Sequence, residues 1–235
     1  MSLLDSVRLV AAPPHPAGRP FLLGGASAAV ICLLLHWVWL FWPCLVFTLF
    51  CLYFFRDPER VPPARLGALV APADGRIVSV AAVAPPAELG LSAGALWRVS
   101  IFLSVLDVHV NRMPADGTVT RIAYRHGRFV NASLDKASTD NERNAIALRL
   151  ADGREMAIVQ IAGLIARRIV CHVREGDRVQ AGGRFGIIRF GSRTDVYLPA
   201  GVRPLVAEGQ TMIGGETVIA ELEAARPAAP AWQAA

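Results

Sequence analysis

The chain has 235 residues, of which 54% are hydrophobic and only 18% charged, with a mean hydropathy of +0.41. That is room for one sizeable domain and an appendage, and the apolar excess points to a membrane segment. The formal net charge is +5, from 24 basic and 19 acidic residues. Lys136 is the only lysine, so the positive charge is carried by arginine, whose forked donors suit phosphate or anionic lipid. No basic run is interleaved with aromatics, which argues against nucleic acid. Cys32, Cys44 and Cys51 lie in the apolar stretch as small hydrophobes, and Cys171 adjoins His172 in a strand-like segment where neighbours point to opposite faces. These cysteines form neither a disulfide framework nor a metal set, so no metal is expected and a reducing compartment is.

Residues 1–20, with Pro13, Pro14 and Pro20, read as a tail without the pattern of a signal peptide. Residues 21–55 contain no Asp, Glu, Lys or Arg. One helix crosses a bilayer core with roughly 20 residues. His36, Trp37, Trp39, Trp42 and Pro43 fall midway, and Trp favours the interface while Pro interrupts a helix. Two short helices joined between His36 and Pro43 fit this best. Arginines on both flanks (Arg8 and Arg19, Arg56 and Arg60) predict a membrane-embedded hairpin with both ends on the cytoplasmic side of the cell membrane.

Pro58, Pro62 and Pro63 make a stiff linker into residues 56–223, where alternating apolar residues and polar turns predict strands at 76–83, 97–103, 117–124, 145–150, 155–162 and 168–173. Short helices are expected near 87–91 and 134–137. The fold class is therefore mainly β, a sandwich or distorted barrel with few short helices, preceded by the helical hairpin. Residues 224–235 are rich in Ala and Pro and read as a disordered tail.

Three polar clusters interrupt the strands. Pro72-Ala73-Asp74-Gly75 is ordinary turn chemistry. In Asp107-Val108-His109-Val110-Asn111-Arg112, a strand would put Asp107, His109 and Asn111 on one face as a candidate acid–base site or a solvated face. His126 to Asn144 reads as a polar loop. Near the end, Gly186 to Pro199 places apolar residues on both sides of Gly191-Ser192. A serine hydroxyl held against the preceding carbonyl can turn that amide into an ester, and glycine before it leaves the approach open. Elimination and hydrolysis would then leave a pyruvoyl group, a ketone that captures amines as Schiff bases and serves as an electron sink.

With these clusters in one order, the chain resembles the short form of the phosphatidylserine decarboxylase proenzymes. The residues that carry the resemblance are Phe55-Arg56-Asp57-Pro58, Pro72-Ala73-Asp74-Gly75, Asp107-Val108-His109-Val110-Asn111-Arg112, Asn141-Glu142-Arg143-Asn144 and Phe190-Gly191-Ser192, over about residues 56–221. The resemblance implies self-cleavage between Gly191 and Ser192 into a β chain (1–191) and an α chain (192–235). It implies a covalent pyruvoyl group made from Ser192 as the cofactor, and conversion of phosphatidylserine to phosphatidylethanolamine and carbon dioxide. The implied catalytic set is Ser192, His109 and Asp74, with Asp74 accepting the Nδ1 hydrogen bond of His109. The partners implied are phospholipid and membrane, and the α and β chains of one precursor; homo-oligomerisation stays open.

There are two departures. Larger members of the family carry His-x-x-His, whereas the second position here is Arg112, so either His109 serves both cleavage and decarboxylation or Arg112 or Asp107 takes one role. The family's Leu-Gly-Ser-Thr reads Phe-Gly-Ser-Arg, placing Arg193 where a hydroxyl often sits. Arg112 and Arg193 are the phosphate candidates. A rival reading takes Val173 to Gly182 as a biotinyl- or lipoyl-type hairpin in a membrane-anchored carrier or adaptor, but Lys136 is remote from it in sequence.

Overall fold

A computed structural model describes residues 12–91, 94–127, 141–163, 168–189 and 191–222. The expected helix at 134–137, Lys136, Phe190 and the tail at 224–235 lie outside the described residues.

The uncharged stretch folds as two helices, α1 (Arg19–Leu34) and α2 (Val38–Phe54), packed side by side. The chain reverses at residues 35–37, where His36 adopts a left-handed φ of 58° and the amides of Leu35, His36 and Trp37 bond back to Ile31, Leu33 and Cys32. The break is therefore tighter than the expected span from His36 to Pro43. Pro43 lies inside α2, where it forfeits one early backbone bond without ending the helix. Among the described residues one helical segment, Pro16–Leu34, is long and apolar enough to cross a membrane; Val38–Phe54 is shorter. Leu34, Trp39, Val46 and Leu49 are exposed along the pair. Its foot is buried. Phe54 and Phe55 pack with Cys51 against Val108, Val110 and Ile187. Gly18 lets the chain pass this foot, since a Cβ there would fall 2.5 Å from the Phe55 ring.

The rest is strands: β1 (Ala68–Val70), β2 (Gly75–Val83), β3 (Leu96–Leu103), β4 (Val110–Arg112), β5 (Gly117–Arg125), β6 (Arg143–Arg149), β7 (Glu155–Ala162), β8 (Ile169–Cys171), β9 (Arg178–Val179), β10 (Arg184–Ile188), β11 (Ser192–Tyr197), β12 (Thr211–Met212) and β13 (Val218–Glu221). An eight-stranded sheet runs β12-β2-β3-β11-β7-β6-β5-β9, with its pairings antiparallel. It curls into a half-barrel around Ile77, Ile101, Ile146, Met156 and Val196. The sheets β4-β10-β8 and β1-β13 contribute Phe185, Leu69 and Ile219 to the same core. The mainly β class, with few short helices, is as expected, and the strands expected at 76–83, 97–103, 117–124 and 155–162 are present within a residue at each end.

The segment 104–112 departs from expectation. Only Val110–Arg112 is a strand, and residues 104–107 form a turn in which the Asp107 amide donates to the Ser104 carbonyl and the Asp107 carboxylate accepts the Ser104 amide at 2.7 Å. An Asp side chain that satisfies a nearby backbone amide competes with strand pairing. Asp107 therefore does not share a strand face with His109 and Asn111.

Candidate active site around the Gly191–Ser192 bond

The connection from β10 to β11 carries the bond singled out in the sequence. Gly191 has φ +71°, a region costly to a residue with a Cβ. The space beside it is open, the nearest atom to a Cβ being Val105 Cγ1 at 3.9 Å, so the backbone angle alone asks for glycine. Ser192 opens β11 and is paired on both sides, with Leu103 of β3 and Ala162 of β7. It is fully buried, and its Oγ has no hydrogen-bond partner among the described residues. Leaving a buried hydroxyl unpaired costs about 1–3 kcal/mol, which makes it a candidate for chemistry.

The Gly191 peptide is held at both ends. Its carbonyl accepts the Gly163 amide at 3.1 Å, and its own amide donates to His109 Nε2 at 3.2 Å. His109 is buried, with the Phe54 ring 4.2 Å from its own, so the foot of the helical pair forms one wall of the site. The other ring nitrogen, Nδ1, is 2.9 Å from the Asp107 carbonyl. A carbonyl only accepts, so Nδ1 carries the proton and Nε2 offers its lone pair to Gly191. Burial is the main cause that lowers the His109 pKa to about 4, against the opposing pull of Asp107. At neutral pH the imidazole is an uncharged base aimed at the Gly191 peptide. Tyr53 Oη and Arg56 Nη2 both donate to the Leu106 carbonyl, at 3.0 and 2.7 Å, and so steady the turn that leads to His109.

The expected Asp74–His109 hydrogen bond is absent. Asp74 Oδ2 accepts Arg60 Nη2 at 2.9 Å and Oδ1 accepts the Gly214 amide at 2.7 Å, while a main-chain carbonyl takes the place at Nδ1. Burial raises the Asp74 pKa, with Gly214 and Arg60 opposing. The charges of Asp107 and Arg56 act on both Asp74 and His109, so the two groups share an electrostatic neighbourhood.

Neither arginine expected to meet phosphate is placed to do so. Arg112 is buried; its Nη1 donates to the Gly182 carbonyl, and its Nη2 to the Pro58 carbonyl and to Asp57. Asp57 is also held by Arg184 at 2.8 Å. This brace ties the proline linker to the β body. Arg193 is 1% exposed and pairs with Asp195 through two bonds of 2.8 Å. Strand alternation explains why: Arg193 follows Ser192 and faces the other side of the sheet.

Three residues, Gly163, Asn141 and Glu142, were not legible as site residues. Gly163 acts through its amide, and a backbone donor leaves no residue-type signal. Asn141 and Glu142 were noticed as part of a motif, and the structure gives them a task. Asn141 Nδ2 donates to the Ala162 carbonyl at 2.7 Å, and the Glu142 carbonyl accepts the Ala162 amide at 2.9 Å. Glu142 Oε1 accepts Tyr124 Oη and the Ile169 amide. Together they clamp the end of β7, from which Gly163 reaches Gly191.

The family model described as phosphatidylserine decarboxylase matches residues 47–220, a span that covers the bond, its histidine and the clamp. The chain belongs to the phosphatidylserine decarboxylase family. A phosphatidylserine decarboxylase proenzyme of Granulibacter bethesdensis is 70% identical over 223 residues, 94% of this chain and 91% of the relative. The proenzyme so named from Gluconobacter oxydans is 61% identical over 94% of this chain and all of its own length. That of Saccharopolyspora erythraea is 58% identical over 89% of each chain. Membership in the phosphatidylserine decarboxylase family displaces the carrier reading. Within that hairpin, Arg178–Val179 is instead a short edge strand paired with Gly117 and Thr118.

Proposed function

We propose that this chain is a self-processing phosphatidylserine decarboxylase whose precursor cleaves between Gly191 and Ser192. The observation that carries this reading is the Gly191–Ser192 peptide itself: a buried, unpartnered nucleophile, a carbonyl already accepting an amide, and a neutral imidazole at the adjoining nitrogen. Ser192 Oγ attacks the Gly191 carbonyl carbon. The Gly163 amide stabilises the oxygen that gains charge, as a preorganised donor does in acyl transfer. His109 Nε2 takes the Oγ proton and delivers it to the departing Ser192 nitrogen, giving an ester. Removal of the Ser192 Cα proton expels the Gly191 carboxylate, and hydrolysis of the resulting enamine releases ammonia. Asp74 contributes through its bracing of Arg60 and Gly214.

The residues present fit a pyruvoyl group at position 192: the Oγ lost in forming it makes no bond, and β11 stays paired on both sides. That group supplies a ketone that takes up the substrate amine and accepts the electron pair released with carbon dioxide. The proton that the α-carbon regains on decarboxylation comes from water, relayed through His109 Nε2, which carries no proton of its own at rest. Position 112, where larger members of the family carry a second histidine, is Arg112 here, and its guanidinium serves as a brace. The helical pair keeps the site at the bilayer surface, so a two-tailed lipid need only present its head group. We place the β body on the cytoplasmic side.

Intact-mass analysis tests the reading. The expected products are chains 1–191 and 192–235, the second with a blocked N-terminus, and carbon dioxide release from phosphatidylserine. A full-length protein after incubation with membranes, or a cut elsewhere, overturns it. For the topology, cysteines introduced at Val10 and Arg65 are expected to label from the same side of the membrane.

A further inference from the structure

A second basic group lies beside the helical foot and takes no part in the steps above. His15, Arg168, His172 and Arg189 line a cavity of about 560 Å3, and no acidic residue lines it. The size is that of a small-molecule site. Arg189 Nε is shut off from solvent and has no hydrogen-bond acceptor among the described residues. The rings of His15 and His172 are 5.4 Å apart. His15 Nδ1 accepts the Ala17 amide at 3.1 Å, which leaves Nε2 to carry the proton and donate. The nearest acid acting on His15 is Asp57, already engaged by Arg184 and Arg112. Burial lowers the pKa of both His15 and Arg189, and the neighbouring cations add to it: His172, Arg184 and Arg189 for the first, Arg168 for the second. Four basic side chains around a cavity that no carboxylate lines among the described residues, with Asp57 engaged elsewhere, describe an anion seat.

Its position says which anion. The cavity opens at Pro16 and Ala17, where α1 begins, and the Arg189 guanidinium lies 5.4 Å from the Phe21 ring on α1. This is the level at which lipid head groups sit if the helices enter a bilayer. Arg189 also precedes Gly191 by two residues, at most about 7 Å of chain. In a serine head group, one oxygen and two carbons separate phosphorus from the amine nitrogen, a span within that reach.

We infer that the cavity lined by His15, Arg168, His172 and Arg189 binds the phosphodiester of the substrate's head group and so presents its amine to position 192. Arginine is the suited donor, since its fork matches two phosphate oxygens at once. The inference rests on the decarboxylase reading. It also moves the phosphate contact away from Arg112 and Arg193, whose donors are used inside the fold.

The test uses the full chain in detergent with Ser192→Ala, which has the cavity but cannot form the ketone. It is titrated with glycerophosphoserine, glycerophosphoglycerol, free serine and inorganic phosphate. Both phosphodiesters are expected to bind, and free serine to bind at least tenfold more weakly, on the scale of a lost charge-assisted hydrogen bond. Adding Arg168→Gln and Arg189→Gln together should weaken both phosphodiesters by about tenfold to a hundredfold. Arg168 is exposed, so Arg168→Gln alone keeps the test open if the pair folds poorly. Arg149→Gln, on an exposed arginine of β6, should change nothing. In the cleavable chain, Arg168→Gln should raise KM while leaving kcat and the 191/192 cut unaltered. Unchanged phosphodiester affinity in the Arg168 and Arg189 variants overturns the inference, as does inorganic phosphate binding as tightly as glycerophosphoserine. A cleavable chain that never cuts or never releases carbon dioxide defeats the decarboxylase reading instead, whatever the binding data say.

Discussion

Ser192 and Arg193 are neighbours on one strand and equally buried, yet they are treated in opposite ways. The Ser192 hydroxyl has no hydrogen-bond partner among the described residues, while the Arg193 guanidinium is matched to Asp195 by paired bonds. The same contrast separates His109 from Arg112, three residues apart. One is kept neutral with a lone pair directed at a peptide; the other spends its terminal nitrogens on Gly182, Asp57 and Pro58. Burial of a polar residue therefore does not mark the site. What marks it is a hydroxyl left without a partner and an imidazole left unprotonated, beside neighbours whose capacity is filled.

The contrast breaks first at Ser192. Ser192→Ala should remain a single chain indefinitely, seen on a denaturing gel, with its thermal midpoint close to that of the uncut wild type because no hydrogen bond is lost. Next comes His109→Ala, expected to slow cleavage by roughly a thousandfold or more, the scale of losing a base from a nucleophile–base pair. In the wild type, cleavage followed against pH should stay level from pH 8 to about 5 and fall only towards pH 4, because burial lowers the His109 pKa from 6.5 to about 4. Stability moves the same way: between those values the unfolded chain binds a proton that the folded chain refuses, so stability falls as pH drops from 6.5 towards 4. A cleavage profile that halves near pH 6.5 would reassign the base.

Arg112→Ala probes the other half of the contrast. It should cost about 3 kcal/mol in denaturant unfolding, the low end for breaking a buried ion pair, since Asp57 keeps Arg184. Protein that folds at low temperature should still cut at 191/192. If instead the variant is stable and uncut, Arg112 belongs with His109 and not with the braces. Asp74→Ala should slow cleavage by about tenfold, well short of His109→Ala, because Asp74 holds Arg60 and the Gly214 amide and makes no bond to Nδ1. A loss equal to that of His109→Ala would mean that Asp74 turns from Arg60 to His109 during the reaction. The smallest effect belongs to Arg149→Ala, within about 0.5 kcal/mol, as expected for an exposed ion pair.

The sequence by itself determined the class of the fold, the two-helix segment and the position of the Gly191–Ser192 bond between two strands. These follow from one-dimensional signals: alternation along β3, apolar runs between polar turns at β2, β5 and β7, an uncharged run from Phe21 to Phe55, and a Gly-Ser pair between apolar strands. Tertiary structure decided who touches whom. Whether Asp74 or the Asp107 carbonyl meets Nδ1 depends on the turn at residues 104–107, where an aspartate chose a local amide over a strand. Whether Arg112 and Arg193 face solvent depends on sheet registers set by partners far along the chain. The Gly163 amide, the Phe54 wall and the cavity between His15 and Arg189 join segments that sequence order keeps apart. Residue types announce what a side chain can do; only packing decides whether its donors and acceptors are already spent, as those of Arg112 and Arg193 are and the hydroxyl of Ser192, among the described residues, is not.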